Sequence, residues 1–369
     1  MTIGIPKEIK TDEFRVGITP SNVSVLLNDG HDVIVQSGAG VGSGFSDDEY
    51  RDAGAKIVTD AKSVYEKSKL IVKVKEPQQG EYELLNESHT LFCYLHLAPL
   101  KKLTSVLLEK KLCAIAYETV STDGELPLLK PMSEIAGMMA PNIGAYHLGR
   151  YQGGNGVLIS GASGVDPANV VVIGAGNAGS NAAKIAVGIG ANVTVVNRSA
   201  SKLVELQKSL PSINTAIYSK ETLYKLLENA DIVISSVLIH GGASTPKLIT
   251  KKMIQDMKDG SIIVDITIDQ GGISESSRPT THTEPTFVDD GVLHYCVANM
   301  PGAYPKTATL ALNNTTLEYV RELANSGTLD AVKNNKALAL GVNVFNGILT
   351  NDAVAKMHGF EYGELESLL

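Results

Sequence analysis

The sequence predicts an α/β chain of two domains, each built on a parallel sheet, with the first domain interrupted by the second. Three observations carry this. The chain has 369 residues, more than one ordinary hydrophobic core organises. Two long stretches alternate short apolar, strand-like runs with helical patterns, the rhythm of βαβ units. At the start of the second stretch, Val170-Val171-Val172-Ile173 runs straight into Gly174-Ala175-Gly176-Asn177-Ala178-Gly179. Helix-compatible residues follow at 180–189.

In the first stretch, strands are expected at 2–5, 32–36, 70–74, 90–92 and 113–116. Helical patterns lie between them, including 19–28 and 99–110. Residues 131–151 read as one long joining helix, Pro141 notwithstanding, and the Gly-rich run 153–164 reads as loop. The second stretch places strands at 170–173, 193–197, 215–217, 232–235, 261–265 and 294–297. Six strands with helical crossovers make a complete Rossmann-like domain. From Pro305 onward, Leu and Ala are spaced for one apolar helical face. That tail is expected to pack back on the first domain. The expected domains are thus two Rossmann-like domains joined by long helices. Residues 1–130 and 305–369 form a discontinuous substrate (catalytic) domain, and 131–304 a dinucleotide-binding domain. A second glycine run, Gly38-Ala39-Gly40-Val41-Gly42, follows a strand but opens no helix at once. It is not read as a nucleotide site.

Lys plus Arg number 32 and Asp plus Glu 40, for a net charge of −8. That balance disfavours nucleic acid or an anionic membrane as partner. Cys93, Cys113 and Cys296 sit in apolar contexts without zinc spacing or a disulfide framework, so no metal is expected and the thiols read as buried and free. The N-terminus has no signal-peptide pattern, and no apolar run approaches the roughly 18 residues that span a bilayer. A cytoplasmic, soluble protein is expected.

The Gly174 turn has the order a dinucleotide needs: strand, tight turn, helix start. Gly174 allows the turn, Gly176 lets a pyrophosphate approach, and Gly179 lets helix and strand pack. Charge on the phosphates is met by the helix N-terminus. A carboxylate ending the next strand would bind the ribose hydroxyls of NAD. Here that residue is Asn197, 23 positions after Gly174, and Arg198 follows it. Asn197 does not repel a 2′-phosphate, and Arg198 has the charge to pair with one. NAD is the expected cofactor, with NADP use left open.

Substrate chemistry is expected in loops at the carboxyl ends of strands. Four residues stand there: Arg15, Lys75, His96 and Asp269. Singly, each has a plain alternative. Arg15 reads as a solvated loop cation, Lys75 as a surface lysine, His96 as a core histidine and Asp269 as a turn carboxylate. Together they suit a small anionic hydride donor. A guanidinium grips a carboxylate, an ammonium polarises a keto oxygen, and a histidine exchanges protons near neutral pH.

Several longer motifs surround these residues. They include Gly4-Ile5-Pro6-Lys7-Glu8, Phe14-Arg15-Val16-Gly17-Ile18-Thr19-Pro20, Val72-Lys73-Val74-Lys75-Glu76-Pro77 and Leu95-His96-Leu97-Ala98. Further on come Ala116-Tyr117-Glu118-Thr119-Val120, Pro131-Met132-Ser133-Glu134, Asp265-Ile266-Thr267-Ile268-Asp269-Gln270-Gly271-Gly272 and Tyr295-Cys296-Val297-Ala298-Asn299-Met300-Pro301. On these motifs the chain resembles, nearly end to end, the alanine dehydrogenase/pyridine nucleotide transhydrogenase family. The resemblance implies reversible oxidative deamination of L-alanine to pyruvate and ammonia. Arg15 and Lys75 would bind the substrate carboxylate and keto group. His96 would carry the proton, and Asp269 would be the second catalytic group. Ser133, the Gly174 loop with Asn177 and Ala178, Asn197, Lys202, Ser219, Leu238, Ile239, Ile266, Thr267, Ile268, Asp269, Arg278, Val297, Ala298, Asn299 and Met300 would line the cofactor. A homohexamer is implied by resemblance alone. The family usually has an acid where this chain has Asn197.

Three other functions remain open at this point. A transhydrogenase nucleotide subunit would need neither Lys75 nor His96. A nucleotide-sensing module would bind without turnover. A saccharopine-type dehydrogenase would act on lysine adducts rather than pyruvate.

Overall fold

The computed structural model describes residues 1–237 and 245–369. The chain divides into two compact units, Met1–Met132 with Tyr304–Leu369, and Ser133–Ala303. Strands of the first unit are β1 (Thr2–Ile5), β2 (Asp32–Gln36), β3 (Lys56–Val58), β4 (Leu70–Val72), β5 (Thr90–Cys93) and β6 (Cys113–Ala116). The second unit holds β7 (Asn169–Ile173), β8 (Asn192–Asn197), β9 (Asn214–Ile217), β10 (Ile232–Ser235), β11 (Ile262–Asp265), β12 (Thr286–Asp289) and β13 (Val292–Tyr295). The chain then returns to the first unit and adds β14 (Val342–Phe345) and β15 (Ile348–Leu349).

Both sheets are doubly wound. The first has the order β15-β14-β6-β5-β4-β1-β2-β3 and the second β12-β13-β11-β10-β7-β8-β9. β1 to β6 pair in parallel, as do β7 to β11 with β13. In each sheet the chain starts in the middle, winds one way, then crosses back and winds the other. The reversal falls between β1 and β4, and between β7 and β10. Residues following the ends of those strands have a crevice to line. The central strands β4, β5, β7, β10 and β11 are buried on both faces, which is why they read as apolar runs rather than alternating ones.

Several details differ from the sequence expectation. The tail is not wholly helical: after helices Pro305–Ser326, Thr328–Asn334 and Lys336–Gly341, it forms the antiparallel pair β14 and β15 beside β6. The strand expected at 294–297 lies at Val292–Tyr295 and pairs with an antiparallel neighbour, β12. β12 is an edge strand with mainly half-buried positions, so it lacks the apolar run that marked its neighbours. β3 was also passed over, and the strand expected at 70–74 ends at Val72. The long joining helix is present as Lys130–His147, with Pro141 inside it. Cys93, Cys113 and Cys296 are buried and free.

The return helix Pro305–Ser326 bears directly on the chemistry. Its Ala308, Leu312, Val320 and Leu323 are buried. Its polar Thr309 and Asn313 are buried too, and they reach the loop that follows β1. Thr309 Oγ1 accepts from the Val16 N–H at 3.2 Å, and Asn313 Oδ1 from the Thr19 N–H at 2.8 Å. The chain's far end thus fixes the loop that carries Arg15. Gly17 completes the constraint, since a Cβ there would lie 2.6 Å from the Val72 carbonyl oxygen at the end of β4.

Candidate functional site

In the first unit, Arg15, Lys75 and His96 follow the carboxyl ends of β1, β4 and β5, three strands adjacent in the sheet. None of the plain alternatives for the two cations fits. Arg15 is 1% exposed and Lys75 6%. Arg15 is held by Glu13, whose carboxylate accepts from Nε at 2.7 Å and Nη2 at 2.6 Å, while Nη1 lies 3.0 Å from Met132 Sδ. Burial alone would push the Glu13 carboxyl up. The guanidinium beside it overrides that and brings it down to about 2. Burial likewise opposes the charge on Arg15, and Glu13 more than offsets it.

Lys75 is set by its backbone. Glu8, in the loop after β1, accepts from the Val74 N–H at 2.6 Å and the Lys75 N–H at 3.3 Å. The same carboxylate meets the fully buried Lys73, whose Nζ lies 3.1 Å from Glu8 and 2.8 Å from Glu81. Tyr65 donates to Glu81 at 2.9 Å. This network ties the ends of β1 and β4 together. Lys75 Nζ stands 5.9 Å from the centre of the Tyr94 ring.

His96 is not a core histidine, because a third of its side chain is exposed. Its φ is +48°, in the left-handed region that side chains disfavour. The Glu118 carboxylate pays for this conformation by accepting from the His96 N–H at 2.6 Å and the Leu95 N–H at 3.1 Å. His96 Nδ1 lies 3.3 Å from Glu76 Oε2, and Lys10 pairs with the other Glu76 oxygen. Burial would raise the Glu76 carboxyl, but adjacent His96, Lys10 and Lys75 hold it well below the usual carboxylate range.

In the second unit, the glycine turn fits a nucleotide. Gly174 has φ +107°, and a Cβ there would lie 2.7 Å from Ser236 Oγ. At Gly179 a Cβ would lie 2.0 Å from the Gly174 carbonyl oxygen. At Gly176 nothing stands within 4 Å of that point, so the turn is open on the side a phosphate would approach. Gly176 caps helix Asn177–Gly188 without any side-chain bond, so the first-turn N–H groups have no cap from it. Asn177 opens this helix, and Ala178 is buried in it.

The other expected lining residues follow the parallel strands in spatial order. Asn197 ends β8: its Oδ1 accepts from the Ala175 N–H at 3.3 Å and its Nδ2 donates to the Ser199 carbonyl at 3.2 Å. It thereby braces the glycine turn. The Arg198 guanidinium lies 5.5 Å from the Tyr218 ring centre. Lys202 is exposed in the first turn of helix Ala200–Ser209. Ser219 follows β9 and caps helix Lys220–Leu227 by accepting from the Thr222 N–H at 3.0 Å. Leu238 and Ile239 lie outside the described residues. Ile266, Thr267, Ile268 and Asp269 follow β11, with Asp269 exposed. Val297, Ala298, Asn299 and Met300 follow β13, and Val297 bridges to Thr280, two residues beyond Arg278. The Arg278 guanidinium covers Phe287 at 4.2 Å. Ser133 is half-buried in helix Lys130–His147, whose Gly137 abuts the Ala178 carbonyl.

One organiser of this edge escaped sequence reasoning. Asp265 is fully buried and accepts five hydrogen bonds. Ser235 Oγ at 2.6 Å, Thr267 Oγ1 at 2.7 Å and the Thr267 N–H at 3.1 Å reach Oδ1. The Ile273 N–H at 2.9 Å and Ser277 Oγ at 2.6 Å reach Oδ2. It locks the turn that presents Asp269. Glu8, Glu13, Glu76 and Glu118 were missed in the same way. Glu8, Glu76 and Glu118 lie inside motifs already singled out, and Glu13 stands just before one, two residues from Arg15; that proximity was the available signal. Among the described residues there is no group of acids, histidines and cysteines placed to hold a metal. No helix among them is long and apolar enough to cross a membrane.

Two doubly wound units, one with an open glycine turn, define a Rossmann-type oxidoreductase. The N-terminal domain model of the alanine dehydrogenase/PNT family matches residues 4–136, and its C-terminal domain model matches residues 140–352. The chain belongs to this family. It is 49% identical over 372 residues to an alanine dehydrogenase of Staphylococcus epidermidis, covering all of both chains. A solved structure of an L-alanine dehydrogenase superimposes with a TM-score of 0.94 at 44% identity, covering 97% of this chain and 99% of that one. A transhydrogenase from Sinorhizobium meliloti shares the fold, with a TM-score of 0.80 at 24% identity over 96% of this chain and 100% of that one.

Proposed function

We propose that this chain is an alanine dehydrogenase, interconverting L-alanine with pyruvate and ammonia. The observation that carries the reading is the gathering of buried Arg15, buried Lys75 and a carboxylate-backed His96 at adjacent strand ends. A nucleotide subunit acting only on a second nucleotide has no use for that set.

Arg15 and Lys75 bind the substrate carboxylate and carbonyl side, and hold the reacting carbon still. Fixing the substrate in this way is where positioning contributes most. A bound nicotinamide would supply the acceptor for the hydride of alanine Cα, and the donor in the reverse direction. His96 takes a proton from the water that adds to iminopyruvate, then returns it as the carbinolamine collapses to pyruvate and ammonia. Asp269 acts as the second polar group of the reaction. The glycine turn, the Asn197 end of β8 and the loops after β11 and β13 hold the dinucleotide.

We assign NAD as the cofactor. Asn197 lacks the charge that would exclude a 2′-phosphate, so the choice is tested by comparing NADH with NADPH. Purified protein given pyruvate and ammonium should oxidise NADH faster than NADPH. Failure with both nucleotides would overturn the function, and preference for NADPH would overturn only the cofactor. The reading also carries a homohexamer, which sedimentation of the purified protein checks, and a cytoplasmic location.

A further inference from the structure

The environment of His96 contains a second carboxylate besides Glu118, that of Glu76, which faces the ring itself. Glu76 stands directly after Lys75, at the end of the segment that continues β4, and its side chain is 5% exposed. Its two oxygens are divided. Oε1 takes Lys10. Oε2 is a buried atom with no well-formed hydrogen bond, and so is His96 Nδ1. The two face each other at 3.3 Å. Each is the polar neighbour that the other's desolvation requires. His96 Nε2 has no partner among the described residues.

The rest of the surroundings fix the ring without competing for Nδ1. Glu118 spends its oxygens on the backbone N–H groups of Leu95 and His96. Tyr94 lies with its ring centre 5.9 Å from that of His96, and its hydroxyl is committed to the Leu128 carbonyl. Lys75 stands over Tyr94. His358 reaches the loop only through the Leu97 carbonyl, at 2.9 Å. Lys10, one-third exposed, holds the Glu76 carboxylate from the other side.

We propose that Glu76 is a positioning residue for His96, fixing the neutral imidazole with its proton on Nδ1 and leaving Nε2 as the atom that exchanges protons with substrate. The physical argument is that of any carboxylate–histidine pair. The carboxylate accepts from one ring nitrogen, selects that tautomer, and stabilises the imidazolium that forms when the other nitrogen takes a proton. Lys10 keeps Glu76 ionised and rotated so that Oε2 is available for this. The role of His96 itself rests on the function proposed above, whereas the Glu76–His96 pairing does not.

The test uses the full-length protein with Glu76→Gln and Glu76→Asp. Glu76→Gln removes the charge at nearly constant shape. It should lower kcat for alanine oxidation roughly 10- to 100-fold, less than the ~10²–10⁴ expected for loss of the acid–base group itself. KM for alanine should move less than about threefold. The acid limb of the pH profile of kcat/KM should move toward lower pH by about one unit, because an anion beside the base has been removed. Glu76→Asp, which keeps the charge, should restore the limb. Nitrogen-15 NMR of the histidine rings, with the His96 signals identified by their loss in His96→Gln, reads the tautomer without any turnover. Wild type should show Nδ1 protonated in the neutral ring, and Glu76→Gln should show that preference lost. A folded Glu76→Gln with an unmoved acid limb and unchanged tautomer would overturn the proposal. A correct tautomer in a protein inactive on alanine would leave the pairing intact and sink the proposed function instead.

Discussion

The ion pair between Glu13 and Arg15 should dominate the acid stability of the first unit. Their side chains are 0% and 1% exposed, and three donors of Arg15 converge on the Glu13 carboxylate: N–H at 3.0 Å, Nε at 2.7 Å and Nη2 at 2.6 Å. The Glu13 carboxyl is brought from 4.5 to about 2. At roughly 1.4 kcal/mol per pH unit, ionisation of that carboxyl contributes about 3 kcal/mol. The cost of removing one partner of a buried pair is independently about 3–5 kcal/mol. Glu13→Gln at neutral pH should therefore lose about 3 kcal/mol, or roughly 6–12 °C in Tm at about 2–4 °C per kcal/mol. The folded carboxyl titrates below its unfolded value. Its contribution is thus complete above pH 4.5 and is lost as pH falls toward 2. The gap in Tm between the two proteins should be widest at neutral pH and narrow across that window, in thermal melts at a series of pH values. A variant as stable as wild type at pH 7, or a gap that does not change between pH 5 and 3, would refute the reasoning. The pair also orients the guanidinium, so KM for pyruvate should rise in the same variant.

Other consequences are as direct. Gly179→Ala puts a methyl group 2.0 Å from the Gly174 carbonyl oxygen, so the turn must open. Calorimetry should show NADH binding weakened at least tenfold, and unchanged binding would remove the turn from the cofactor site. His96→Ala should cut turnover by roughly 10²–10⁴ while the protein still binds NADH. His294 is buried against Phe287 with ring centres 4.8 Å apart, and burial pushes its imidazole down to about 4. Its unfolded form binds a proton more readily. Stability should therefore fall as pH drops from 6.5 toward 4, by about 3 kcal/mol in all. His294→Gln should flatten that slope in denaturant titrations.

What could be read from the chain depended on the range of the interaction concerned. The Gly174 turn was legible because strand, turn and helix are consecutive, and each glycine answers a steric demand within a few residues. The buried strands β4, β5, β7, β10 and β11 were legible as uninterrupted apolar runs. The β14–β15 pair was not, because its four and two residues follow three helices in a tail with a helical apolar period. Arg15, Lys75 and His96 could be placed at strand ends by counting along the sequence. Their settings could not. Glu118 reaches His96 across 22 residues and Asn313 reaches Thr19 across 294. Such pairings are products of sheet order and of the return of the chain, which no local window contains. That is also why two cations with surface-like sequence neighbourhoods proved to be buried.

The central claim is that hydride leaves Cα of L-alanine for the nucleotide. Purified protein should be incubated with NAD and L-alanine carrying deuterium at Cα, and the reduced nucleotide weighed by mass spectrometry. The account predicts one deuterium in each NADH formed, with pyruvate and ammonia released in equal amount. Reduced nucleotide without deuterium, or tight nucleotide binding with no reduction by alanine, would contradict it.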